Sequence, residues 1–259
     1  LKLYPMILLI SPSKTQDYTD NLSCNARTKP LLAKHCLELV KVLKGFSKPK
    51  LAKTLGVSDK LATLNHQRYQ QFAQSFTPRN ARQALLAFRG DVYRGIRVGE
   101  YKKADFDYAQ KHLRILSGLY GMLRPLDLIQ PYRLEMKTKL KTPHAKDLYQ
   151  YWEEPLLDLL EETLRKSKST TIVNLASNEY YNAVPAKRLD AKVITPVFKE
   201  KKGSSYKTVA IFAKRARGLM ADFAITKRIK AAKDLKRFSA EGYSYNPKLS
   251  DDATWTFMR

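Results

Sequence analysis

Residues 113–136 read LRILSGLYGMLRPLDLIQPYRLEM, with Gly118 and Gly121 three positions apart between two apolar runs. Glycine adopts positive φ without a Cβ clash, so this spacing predicts a tight hairpin. A glycine-rich turn that opens a helix also leaves backbone N–H groups free to bind a phosphate. Because Arg124 and Arg133 follow the turn in a basic chain, we expect the hairpin to contact a nucleic-acid backbone.

The chain as a whole is strongly basic. Its 259 residues include 48 Lys and Arg against 24 Asp and Glu, a formal net charge of +24. With 44% hydrophobic residues, this length suits one large domain or two small ones. An excess of positive charge describes solubility and partners rather than fold. It indicates a polyanionic partner, namely DNA, RNA or a phosphorylated ligand, and the alternative is a basic surface without a partner.

Apolar spacing divides the chain into strands and helices. Residues 6–10 form a continuous apolar run that ends at Ser11-Pro12, which predicts a buried strand. Ser58 is a suitable N-cap for a helix that continues to about residue 73. The other predicted strands are 171–176, 192–198, 206–212 and 254–257, and the other predicted helices are 29–44, 104–116, 147–166 and 214–232. Because the order is not strictly βαβ, we predict an α/β (mixed α+β) fold with an irregular mixed sheet, as a single compact domain over residues 6–259.

Cysteine usage and apolar runs bear on the compartment. Cys24 and Cys36 do not form a C-x-x-C motif and nothing in the sequence requires them to pair, which is typical of a reducing cytosol. No apolar run approaches the ~20 residues that cross a bilayer. Met6 is a candidate native start, so residues 1–5 are a candidate N-terminal extension. We therefore expect a cytoplasmic protein without a membrane partner.

Two loops that follow predicted strands carry the polar residues most suited to chemistry. Ser11 and Lys14 follow the first strand, and Asn174, Ser177 and Glu179 lie at the end of a later strand. Loops at this position are common ligand sites. Lys14 and its hydroxyl neighbours are suited to holding a phosphate or carboxylate, and Glu179 is suited to acting as a general base. The alternatives are a polar turn without a ligand at Lys14 and a helix N-terminus capped by Ser177.

Recognised metal and nucleotide motifs are missing from the sequence. The four histidines are scattered, with no i,i+3 or i,i+4 pair, and neither H-E-x-x-H nor an EF-hand loop occurs. No G-x-G-x-x-G or Walker loop is present either. We therefore expect no metal site and no cofactor. A carboxylate site assembled in space from Asp91, Asp127 and Glu179 stays open as an alternative.

The densest positive charge lies in residues 199–237, which contain thirteen Lys or Arg and three acidic residues. Within this stretch, Lys214, Arg215 and Arg217 begin the predicted late helix. A solvated helix face is one interpretation of such a run. Phosphate binding is the other, and each Lys or Arg on a phosphate adds about one unit to the salt dependence of binding.

Seven motifs occur in order along the chain, and together they resemble the YaaA family of bacterial peroxide-stress proteins. The motifs are ISPSKT at 10–15, SDKLA at 58–62, AFRGDVY at 87–93, LSGLYGMLRPLD at 116–127, PYRLEM at 131–136, NLAS at 174–177 and KRARG at 214–218. The resemblance covers about residues 6–243, which is nearly the whole chain.

The resemblance implies a cytoplasmic protein of the hydrogen peroxide response that limits oxidative damage by keeping free iron low. It also implies DNA binding, an unusual α/β fold, a basic cleft and a helix-hairpin-helix-like element, which the residue pattern assigns to residues 117–124. The family's biochemical activity is not settled. On this basis the predicted DNA-binding residues are Lys14, Ser117, Gly118, Leu119, Tyr120, Gly121, Arg124, Arg133, Lys137, Lys214, Arg215 and Arg217.

Two functions are therefore consistent with the sequence. The first is a non-catalytic protein that binds double-stranded DNA, bent or branched DNA included, through phosphates that carry no base information. The second is an enzyme that acts on a small anionic ligand in a pocket between strand ends. The candidate pocket residues are Ser11, Lys14, Asp91, Glu135, Asn174, Ser177 and Glu179. The missing cofactor motif favours the first.

Overall fold

The computed structural model describes residues 5–19, 24–203 and 205–259, and this part of the chain forms twelve strands and nine α-helices. The strands are β1 (Met6–Ile10), β2 (Thr15–Gln16), β3 (Arg82–Gln83), β4 (Phe88–Arg89), β5 (Leu113–Ser117), β6 (Gly121–Leu123), β7 (Leu128–Ile129), β8 (Thr171–Leu175), β9 (Lys192–Lys202), β10 (Ser205–Lys207), β11 (Ser244–Tyr245) and β12 (Thr254–Met258). The α-helices are α1 (Ala33–Lys44), α2 (Lys48–Leu55), α3 (Asp59–Gln71), α4 (Ala84–Ala87), α5 (Asp91–Arg94), α6 (Lys103–His112), α7 (Leu148–Ser167), α8 (Asn178–Tyr181) and α9 (Ala210–Thr226). Except for Pro5, the candidate extension at residues 1–5 lies outside the described residues.

One mixed sheet of eight strands lies at the centre of the protein. Its order is β11-β12-β9-β8-β1-β5-β6, and β10 pairs with β9. Strand β1 is parallel to both neighbours, with Leu8 opposite Val173 of β8 and Leu113 of β5. Strands covered on both faces are continuous apolar runs, and all five residues of β1 are fully buried. The predicted mixed α/β fold and the strand at 6–10 are confirmed.

Two helices cover the parallel strands. Helix α6 packs against β1 and β5, and α9 packs against β1, β8 and β9. Helix α9 also crosses α5 at a contact between two glycines, Gly95 and Gly218. A Cβ atom on Gly95 would lie 2.5 Å from the carbonyl oxygen of Arg215, and one on Gly218 would overlap the carbonyl oxygen of Val92. The two backbones therefore touch directly, which fixes α9 against α5.

Several predicted boundaries differ from the structure because short apolar runs fit more than one period. The helix predicted over 104–116 ends at His112, and the following residues form β5 because they pair with β1. The strand predicted over 206–212 ends at Lys207, and α9 begins at Ala210. The helix predicted to reach residue 232 ends at Thr226. Helix α2 was not predicted.

The predicted glycine hairpin exists, but it connects two strands. Strands β5 and β6 are antiparallel, with Ser117 opposite Gly121, and Gly121 has a φ of 67°. The chain after β6 runs through β7 and an irregular segment before α7 begins at Leu148. The assignment of a helix-hairpin-helix-like element to residues 117–124 is therefore corrected, because the sheet pairing of β1 with β5 places a strand before the turn.

Candidate functional site

The candidate site lies where β1 and β8 end. The carboxyl ends of parallel neighbouring strands meet at one edge of a sheet, so the loops that follow them are close together. Ser11 and Ser177 meet there: the Ser11 hydroxyl donates to the Ser177 hydroxyl at 3.3 Å and accepts the Ser177 N–H at 2.9 Å. The Tyr93 hydroxyl donates to the carbonyl oxygen of Ser11 at 3.0 Å, which ties α5 to the same edge.

A cavity of about 720 Å³, which we call the strand-end cleft, opens between these loops and α9. This volume lies in the range of small-molecule sites. Its charged lining residues are Lys14, Asp91, Lys137, Glu179, Lys214 and Arg217. The structure thus brings together residues that the sequence predicted for both functions, from five separate parts of the chain.

Glu135 is the centre of an ion-pair network beside the cleft. Its carboxylate lies 2.9 Å from Nζ of Lys14, 3.3 Å from Nη2 of Arg133 and 3.8 Å from Nζ of Lys137. The ammonium group of Lys137 also lies 3.9 Å from the carboxylate of Glu179. Each of these cations therefore has an acidic neighbour within the protein.

Lys214 and Arg217 differ from these cations. Across the part of the chain that the structure describes, neither side chain has a hydrogen-bond or ion-pair partner. They lie one helical turn apart on α9, so they share a face. Arg217 is half-buried, and withdrawal from water lowers the pKa of its guanidinium group below the usual value. A cation in this position is well placed to bind an anion from outside the protein.

Two buried tyrosines complete the wall of the cleft. Burial raises the pKa of the Tyr93 hydroxyl well above its usual value, and burial raises that of Tyr180 as well. Both are therefore neutral at physiological pH and add no charge to the cleft. Neither tyrosine was predicted from the sequence, because the residues that surround them come from distant elements.

The glycine turn lies inside the protein rather than at the cleft. Ser117, Leu119 and Tyr120 are fully buried, and the N–H groups of Leu119 and Tyr120 donate to the Ser117 hydroxyl at 3.3 and 3.1 Å. A Cβ atom on Gly118 would overlap the carbonyl oxygen of Leu134. The predicted phosphate contact at Ser117–Gly121 is not compatible with this burial; the glycines allow close packing instead.

Three other predicted site residues have structural partners. Arg124 donates from Nη2 to Asp127 at 2.7 Å and to the carbonyl oxygen of Lys29 at 2.8 Å. Arg215 lies 2.6 Å from the carboxylate of Glu241. Asn174 is buried in β8, where its side chain accepts the N–H of Ala176 at 3.0 Å. The structure therefore separates these three from the residues that line the cleft.

Helices α2 and α3 form a helix pair, of which the sequence predicted α3 but not α2. A three-residue turn joins them, and its first residue, Gly56, is exposed with a φ of 60°. The side chain of Ser47 accepts the N–H of Lys50 at the start of α2, whereas Ser58 makes no such bond at the start of α3. Two sequence signals could have predicted α2: Ser47 as its N-cap and Gly56 as the glycine that ends it.

Within residues 5–19, 24–203 and 205–259, no helix combines the length and apolarity needed to cross a membrane. In the same ranges, no three His, Cys, Asp or Glu side chains are grouped closely enough to hold a metal ion. The alternative carboxylate site is corrected at Asp127, whose buried carboxylate accepts from Arg124 instead of facing Asp91 and Glu179 in the cleft.

The fold and the site define a mixed α/β protein with a polar, cation-lined cleft at the carboxyl ends of its central strands. Comparison with known proteins gives the family. A family model described as peroxide stress protein YaaA matches residues 6–249. A UPF0246 protein from Acaryochloris marina is 52% identical over 254 residues, which are 98% of this chain and 100% of that protein. The chain belongs to the YaaA family of peroxide stress proteins.

Proposed function

We propose that this cytoplasmic member of the peroxide stress family binds the phosphate backbone of double-stranded DNA, bent or branched DNA included, at the strand-end cleft. Binding through phosphates is largely independent of sequence. DNA held in this way is shielded from radicals that iron generates, and the protein helps to limit iron-dependent damage by keeping intracellular free iron low.

The observation that carries this proposal is the pair Lys214 and Arg217. A half-buried guanidinium without an acidic neighbour in the described chain loses hydration and gains no counter-charge. A phosphate oxygen supplies both the charge and the hydrogen-bond acceptor that such a group lacks. The formal charge of +24 on the chain adds a long-range attraction for a polyanion.

We place the helix-hairpin-helix-like element of the family at α2 and α3. The exposed turn at Gly56 lets a backbone strand of DNA approach closely, since nothing lies within 4 Å of a Cβ built there. Because Ser58 leaves the first amides of α3 without a side-chain cap, those N–H groups are available to a phosphate. Lys53 and Lys60 are exposed on either side of the turn.

The double variant Lys214→Glu/Arg217→Glu is expected to bind a duplex at least about tenfold more weakly than wild type near physiological salt. It is also expected to flatten the salt dependence by about two units, because two phosphate contacts are lost. Fluorescence anisotropy with a labelled 20-base-pair duplex (a length of about two helical turns), across a salt series, measures both quantities.

The matched control is Lys187→Glu/Lys192→Glu. Both lysines are exposed, and Lys192 begins β9, so it lies at the opposite edge of the sheet from the cleft. The control changes the net charge by the same amount. Equal losses of affinity in the two double variants would show that charge alone drives binding, and would contradict a DNA site in the cleft.

The second candidate function is an enzyme that acts on a small anionic substrate in the same cleft. It is favoured by the carboxylates of Asp91 and Glu179, which line the cleft together with Lys14 and Lys137. Carboxylates repel phosphates, but they are suited to proton transfer. A cavity of about 720 Å³ has the size of a small-molecule site, whereas a surface that binds a duplex is flatter.

The variant Glu179→Gln distinguishes the two functions. Removing this negative charge is expected to tighten DNA binding about two- to fivefold at low salt, because a repulsive neighbour of the phosphates is lost. Glu161→Gln, an exposed position on α7, is the control and is expected to change little. Weaker DNA binding by Glu179→Gln would contradict the DNA proposal and favour a role for this carboxylate in chemistry.

A further inference from the structure

A second cavity, of about 630 Å³, lies between α3 and the paired strands β3 and β7. We call it the arginine pocket because four arginines line it: Arg27, Arg68, Arg79 and Arg82. Its described lining residues include no Asp or Glu. Gln130 and Pro131 line this pocket and Lys137 lines the strand-end cleft, so one segment borders both cavities but they share no lining residue.

Arg68 is a half-buried cation in the wall of the pocket. It lies on α3, and its guanidinium donates only a long hydrogen bond of 3.4 Å to Asn65 among the described residues. Withdrawal from water lowers the pKa of Arg68 below its usual value, and no acidic residue in the described chain opposes this effect. The guanidinium therefore keeps several N–H donors that no described group accepts.

Arg27 and Arg79 stand at the rim of the pocket. Both side chains are exposed, and in the described ranges neither has a hydrogen-bond or ion-pair partner. Arg82 is already engaged in contacts of its own. Three cations on one concave surface repel each other unless an anion lies between them. Most polar neighbours, such as Gln71 and Asn80, are amides, so the lining is unsuited to an apolar ligand.

We propose that the arginine pocket binds a ligand with two or more linked phosphates, such as tripolyphosphate or the phosphate chain of a nucleotide. Guanidinium groups bind phosphate oxygens in pairs, and three of them match the charge of a di- or triphosphate. The volume suits a small molecule of that size. The site is separate from the strand-end cleft and does not depend on the proposed DNA binding there.

Calorimetric titration of the full chain with sodium tripolyphosphate at low salt tests the proposal. Wild type is expected to show saturable binding, and the site that depends on Arg68 and Arg79 is expected to be kept in Lys214→Glu/Arg217→Glu. Arg68→Lys keeps the positive charge but loses the planar guanidinium that binds two phosphate oxygens at once. Arg79→Gln removes a charge at the rim of the pocket and leaves the hydrophobic core unchanged. Each variant is expected to weaken binding about tenfold. Arg237→Gln, an exposed arginine elsewhere, is the matched control and is expected to change affinity less than about twofold.

The absence of saturable binding would overturn the proposal, as would an equal loss of affinity in Arg79→Gln and Arg237→Gln. A loss in Lys214→Glu/Arg217→Glu with no loss in Arg79→Gln would also overturn it, because the anion would then bind in the strand-end cleft. Parallel anisotropy with duplex DNA identifies the phosphate source. If Arg79→Gln weakens only tripolyphosphate binding, the ligand is a free phosphorylated molecule; if it weakens both, the pocket also accepts phosphates of DNA.

Discussion

A Gly218→Ala variant is expected to lose about 3 kcal/mol or more of the free energy of unfolding. A Cβ atom at this position would overlap the carbonyl oxygen of Val92 and would lie 3.2 Å from Cα of Gly95. Both neighbours are backbone atoms, so no side chain can rotate away to make room. The helices α5 and α9 must separate, and the apolar residues of α9 that face β1 and β8 lose their packing.

Urea unfolding followed by circular dichroism measures this loss as a lower midpoint. Gly45→Ala is the matched control, because Gly45 has a φ of −76° and a Cβ there would meet only the carbonyl oxygen of Val42, at 3.5 Å. The control is expected to unfold within about 0.5 kcal/mol of wild type. A Gly218→Ala midpoint equal to that of the control would show that α5 and α9 do not cross at this contact.

An Asp127→Ala variant is expected to lose a similar amount, about 3–5 kcal/mol. The fully buried carboxylate of Asp127 accepts the N–H of Arg124 at 2.8 Å, its guanidinium at 2.7 and 3.0 Å, and the Thr28 hydroxyl at 2.6 Å. Burial lowers the pKa of nearby Arg114 to about 10, and Asp127 opposes that effect. Without the carboxylate, two arginines lose their counter-charge.

Thermal and urea unfolding of Asp127→Ala, beside Asp127→Asn and Asp107→Ala, measure this effect. Asn keeps the shape and one acceptor, so it is expected to unfold between wild type and Asp127→Ala. Asp107 pairs with Lys103 at the surface, at 2.7 Å, and its loss is expected to change little because water screens the pair. Equal stability of Asp127→Ala and Asp107→Ala would contradict a structural role for Asp127.

Local patterns in the sequence were sufficient to predict part of the candidate site. The apolar run at 6–10 and the β-branched run at 171–176 predicted strands, and the polar residues after them predicted a ligand pocket between strand ends. Ser11, Lys14 and Glu179 do lie together there. This inference holds because the carboxyl ends of neighbouring parallel strands lie at the same edge of the sheet, independently of the other elements of the fold.

The other parts of the site could not be predicted from the sequence, because they depend on contacts between elements that are distant along the chain. Nothing in the pattern around Gly218 indicates that its partner is Gly95, yet this crossing brings Lys214 and Arg217 to the strand ends. The turn at Gly118 was ambiguous for the same reason. Glycine allows both a ligand and a packed neighbour to approach, and here the neighbours are Leu134 and, through a hydrogen bond of 2.9 Å to the Gly118 carbonyl, Trp152.

The position of β1 in the sheet also has a consequence during synthesis of the protein. Leu8 pairs with Leu113 on one side and Val173 on the other, and both partners leave the ribosome much later than β1 does. Long-range pairing of this kind is slow, and exposed apolar strands in nascent chains are prone to aggregate. Translation must therefore reach the end of β8 before β1 is covered on both sides.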